Sequence, residues 1–187
     1  MRDIFKNFEN ADFCDVHDYF DDRVGIGYLY YIEGNYDMFF QEAARKEIPF
    51  KEYKSNELKV LKWIKSLAEK SRVMGIVSPN IVLESHYSFR KSIDYRNRMH
   101  QFAKQGKLDK VIQLQGKELD VAIVMGLRDV AQTMFYFEAF EMIIVPLDLH
   151  GIVLFNANRA IESVKRQTEK YGICLLYTSP SPRDTER

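Results

Sequence analysis

The stretch MIIVPLDLHGIVLF, residues 142–155, decides the fold of this chain. Two β-favouring apolar runs, 142–147 and 151–155, flank Asp148-Leu149-His150. Pro146 has no N–H to give to a ladder, so it belongs at an edge or a bend, and Gly151 lets the backbone turn or be approached closely. Two arrangements satisfy this pattern: a hairpin bent across residues 146–151, or one strand that ends at a functional turn. Both require a sheet.

Downstream, residues 158–171 (NRAIESVKRQTEKY) carry Ala160, Ile161, Val164, Thr168 and Tyr171 on one stripe, which predicts an amphipathic helix. Asn158 is placed to cap its start and Gly172 its end, so Ile173 is placed to open a new strand. Thr178-Ser179-Pro180-Ser181-Pro182 then loses all periodicity. Residues 174–187 (CLLYTSPSPRDTER) resemble translated sequencing-adapter read-through. The expectation is one globular domain over residues 1–172, truncated at its C-terminus, followed by a non-native disordered tail over 173–187.

Upstream, residues 24–32 (VGIGYLYYI) predict a strand, and Asn35 caps a helix over 36–47 that Pro49 stops. Residues 55–70 predict a helix whose core face is Leu61, Trp63, Ile64, Leu67 and Ala68, with Lys59, Lys62, Lys65 and Glu69 on its solvated back. Residues 72–77 predict a strand, with another opening at 81–83. A helix follows over 88–104. Residues 118–137 have a narrow polar stripe, which predicts the most buried helix of the domain. This order suits α/β or α+β architecture with a mixed β-sheet and packed helices.

Composition narrows the function. Thirteen Phe and eleven Tyr mark a folding sequence, and 27 basic residues balance 27 acidic ones. The balance conceals a gradient. Residues 1–23 hold seven acids against three bases, whereas residues 86–110 hold seven Lys or Arg against Asp94 and Asp109. Ahead of the tail Cys14 stands alone, which excludes an internal disulfide and predicts a reducing, cytoplasmic setting. No window of about eighteen apolar residues is present to span a bilayer, and Glu138 and Glu141 interrupt the nearest approach, residues 133–147.

Three constellations carry chemistry. The first interleaves Arg90, Lys91, Arg96, Arg98, Lys104 and Lys107 with Tyr87, Phe89, Tyr95 and Phe102, pairing phosphate-neutralising cations with rings that stack on bases. Helical spacing also lets Arg90, Asp94 and Arg98 form an i, i+4 ladder that partly neutralises itself. The second is the turn Asp148-Leu149-His150-Gly151. Its carboxylate and imidazole, two residues apart, are suited to a divalent metal or a phosphate. The turn locally resembles the opening motif of metallophosphoesterases, but the Gly-Asp and Gly-Asn-His elements that complete their two-metal site are absent. The third, Cys14-Asp15-Val16-His17-Asp18, repeats the Asp-x-His spacing without a strand before it.

The expected function is a non-enzymatic intracellular domain that binds a protein or nucleic acid through the basic helical surface. The alternative is a metal-dependent hydrolase or phosphoryl-handling enzyme with Asp148 and His150 as ligands, joined by Asp15 and His17 if the sheet brings them together, and a divalent metal as cofactor. A nucleophile elbow, a P-loop and an EF-hand spacing are all missing.

Overall fold

A computed structural model describes residues 24–30, 50–79, 93–128, 130–147, 150–156 and 161–178. The described strands are β1 (Val24–Tyr30), β2 (Val73–Pro79), β3 (Ile112–Gln113), β4 (Ala131–Phe137), β5 (Met142–Leu147), β6 (His150–Asn156) and β7 (Cys174–Thr178). The described helices are α1 (Phe50–Ala68), α2 (Ile93–Lys104), α3 (Gly116–Leu127) and α4 (Ile161–Lys170). The strands form one sheet in the order β3-β2-β4-β5-β6-β1-β7.

Every strand pairing among the described residues is antiparallel, so the fold is α+β and the expected mixed sheet is an antiparallel one. The hairpin arrangement of residues 142–155 is the one adopted: Pro146 faces Gly151 and Leu147 faces His150. The apolar run 133–147 is split between β4 and β5, and no helix among the described residues is long and apolar enough to cross a membrane.

One further expectation is corrected. Residues 118–137 are not a single helix: α3 ends at Leu127 and β4 begins at Ala131. Arg128, at φ −105° and ψ 9°, leaves the helical path. β4 lies between β2 and β5 with Thr133 to Phe137 all buried, so it lacks the in-out alternation that distinguishes a strand from a buried helix. Residues 173–178 lie beyond the expected domain boundary, yet Cys174–Thr178 pair with β1 from Tyr30 back to Ile26. α4 closes as its sequence predicts. Gly172 takes φ +66°, its N–H donates to the Glu169 carbonyl, and the Ile173 N–H donates to the Thr168 carbonyl. The predicted helix 36–47 and strand 81–83 lie outside the described residues.

The register sorts the apolar residues into two faces. Val73, Val77, Phe135, Phe137, Ile144, Val153, Leu29 and Leu175 face one side, where they join Val60, Trp63, Ile64 and Leu67 of α1, Leu119, Ala122, Ile123 and Met125 of α3, and Val164 of α4 in the main core. Ile76, Met134, Tyr136, Ile143, Val145 and Leu154 form a second buried cluster on the other side. Fully burying a side chain of this size contributes about 1.5–3 kcal/mol, so both faces matter to stability. α3 lies close against the sheet at Gly126. A Cβ there would stand 2.1 Å from Thr133 Oγ1 and 2.9 Å from Pro146 Cγ, so no larger residue fits without displacing β4 or β5.

α1 and α3 run antiparallel, because Glu57 meets Arg128 while Lys65 meets Asp120. The Glu57–Arg128 pair is buried and two-pronged: Arg128 Nε donates to Glu57 Oε2 at 2.5 Å and Nη2 donates to Oε1 at 3.0 Å. Lys54 also donates to Glu57. Burial pushes the Glu57 carboxyl up, but hydrogen bonds and charge from Arg128 and Lys54 outweigh it, and the net displacement is below the ordinary 4.5.

Candidate nucleic-acid interface

The described part of the basic segment is α2 and the turn after it. α2 turns Phe102 into the main core and packs Met99 against it, an i, i+3 pair that fixes which side of the helix faces inward. Phe102, expected to offer a ring to bases, is 6% exposed and serves packing instead. On the outward arc Asn97, Arg98, His100, Gln101, Lys104 and Gln105 are exposed. At about 100° per residue, these six fall within about 160° of the helix circumference, with Arg98 at one side and Lys104 towards the other. Arg98 Nη1 donates to Gln101 Oε1 at 3.3 Å. α2 closes with the Lys107 N–H donating to the Phe102 carbonyl at 3.0 Å.

The predicted site residues separate into groups. Arg98 and Lys104 share the exposed arc, and Arg96 lies on the same helix. Lys107 is partly buried and tied to Glu118 of α3, so it anchors the base of α2 and its charge is already partnered. Arg90 and Lys91 lie outside the described residues, and with them the proposed ladder to Arg98. Of the alternative metal ligands, Asp15, His17 and Asp148 also lie outside them. His150 opens β6, its backbone in register with Leu147 and Tyr30. Among the described residues, no three His, Cys, Asp or Glu side chains converge on a metal position.

A cleft of about 300 Å³ lies elsewhere, between the end of α1, the start of β2, β3 and the start of α3. Ala68, Val73, Leu114 and Leu119 give it an apolar part, and Lys65, Arg72, Gln113, Gln115 and Asp120 a polar one. Asp120 Oδ2 accepts from Lys65 Nζ at 2.8 Å, while Oδ1 is buried without a partner. Both signs of charge line the cleft, so it selects no single class of ligand. Sequence reasoning missed it because its walls come from segments about 50 residues apart that carry no shared local signal. No family model matches the chain, and neither a curated protein nor a solved structure is similar to it.

Proposed function

We propose that this domain binds a nucleic acid through the outward arc of α2. The observation that carries the reading is the division of that helix: Met99 and Phe102 are committed to the core, while Arg98, Lys104 and four exposed polar residues present cations and hydrogen-bonding groups to solvent. Cations of this kind neutralise phosphates, and amide side chains supply positioning hydrogen bonds. A helix anchored by its apolar side holds these groups in a fixed arrangement, so little of the binding energy is consumed in ordering the backbone.

The test is fluorescence anisotropy with a labelled oligonucleotide across a salt series. Wild-type affinity is expected to fall steeply between about 50 and about 200 mM salt, and Arg98→Ala with Lys104→Ala to weaken binding and flatten the slope by about 2. Affinity that ignores salt would rule out phosphate recognition by this surface.

A further inference from the structure

We infer, resting on the reading of this domain as nucleic-acid binding, that the solvent face of α1, beside the end of α4, is a second docking surface and that its partner is the phosphate backbone of a nucleic-acid duplex. α1 presents one unbroken outward stripe in which Lys51, Lys62 and Lys65 are exposed, with Lys59 half-buried beside it. Between Glu52 and Glu69 the only acid on the helix is Glu57, which is buried in its pair with Arg128. Over residues 53–68, about four turns, the helix therefore shows solvent Lys62 and Lys65 and no exposed carboxylate, with exposed Glu52 and Glu69 flanking that stretch. Along this stripe the i, i+4 pairing of opposite charge is Lys65 with Glu69, just past the end of the helix.

The C-terminal end of α4 lies beside α1. Lys59 Nζ lies beside Gly172, 3.9 Å from where a Cβ would stand, which brings the end of α4 next to α1. Lys165 and Lys170 of α4 are exposed, with Glu169 between them in sequence. Among the described residues Lys51 and Lys62 form no ion pair, so their charge is available to a partner. Lys51 and Lys62 are separated by about 16.5 Å along the helix axis. Over that length a duplex carries about ten phosphate charges, so the two lysines can reach phosphates along an extended backbone but not one compact anion.

The experiment measures binding of a labelled duplex of about 20 base pairs at about 50 and about 200 mM salt to the full chain and two variants. Lys51→Glu/Lys62→Glu reverses the α1 stripe, and Arg98→Ala/Lys104→Ala removes the α2 cations. Both variants alter exposed residues, and an unchanged melting temperature establishes that each is folded. The α1 variant is expected to lose at least about tenfold in affinity, with a salt slope reduced by about 2. If it binds like wild type while the α2 variant weakens, the second surface is overturned and the α2 reading stands. If it weakens and the α2 variant does not, the α1 surface stands and the α2 reading falls. No duplex binding by the wild-type chain at the lower salt overturns the α1 proposal; retained binding of a single strand would then leave α2 in place.

Discussion

Two ion pairs join α1 to α3 at opposite ends of their antiparallel contact, in contrasting surroundings. Glu57 and Arg128 have side chains 2% and 8% exposed, and the arginine closes on both carboxylate oxygens. Lys65 and Asp120 have side chains 47% and 31% exposed and share one contact of 2.8 Å beside an open cleft. Water screens the second pair and competes for it. The first pair has neither that competition nor that relief: each ion depends on its partner to offset the cost of leaving water. The same chemistry is therefore a structural necessity at one end of the helix pair and nearly optional at the other.

The strongest way to break that contrast is Arg128→Ala, which leaves the Glu57 carboxylate buried with only Lys54 beside it. A loss of about 3–5 kcal/mol is expected in urea unfolding. A loss below about 1 kcal/mol would mean that water reaches Glu57 as readily as it reaches Asp120.

Acid sharpens the comparison with a smaller effect. Because the folded Glu57 carboxyl titrates below 4.5, its ionised form stabilises the fold above that pH, and the contribution is lost as pH falls through the folded value. The stability gap between wild type and Glu57→Gln is expected to be about 1.5–3 kcal/mol near neutral pH, the range for charge-assisted hydrogen bonds. It should shrink below about pH 4.5. A gap that is constant down to about pH 3 would show that charge is not what the pair contributes.

The smallest effect belongs to the exposed end. Asp120→Ala is expected to cost no more than about 1 kcal/mol, and less at high salt. A larger loss that salt does not reduce would place Asp120 in the same class as Glu57.

These two pairs also mark where the fold was legible in sequence. α4 could be read because a capping residue, an apolar stripe and Gly172 all lie within one short window. The β5–β6 hairpin was visible in its two apolar runs, with Pro146 and Gly151 restricting the bend between them. α1 announced its core face through Trp63, Ile64 and Leu67, each fully buried. β4 escaped because burial on both sides erased its alternation. Glu57 and Arg128 are 71 positions apart, and nothing local distinguishes a carboxylate destined for burial from one facing water. Lys62 and Lys65 of α1 were visible on the solvent side together with Glu69, but the absence of an exposed acid between Glu52 and Glu69 emerged only once Glu57 was seen to be buried. For the α2 surface, Arg98 and Lys104 were legible as basic residues, whereas the inward turn of Phe102 and the capture of Lys107 by Glu118 depend on where α3 lies.

The meeting of β4 and β5 bears on how the molecule comes apart. They share three register pairs, the last joining Phe135 to Ile144, whereas β2 and β4 share seven and β5 and β6 share six. The sheet is thus two ribbons, β3-β2-β4 and β5-β6-β1-β7, stitched along a short seam with α3 packed across both strands. Cooperative opening has a natural starting line there. Amides of the seam would exchange with solvent through partial separation of the ribbons, while those deep within either ribbon wait for global unfolding, and α3 acts as the clasp that makes the two ribbons behave as one.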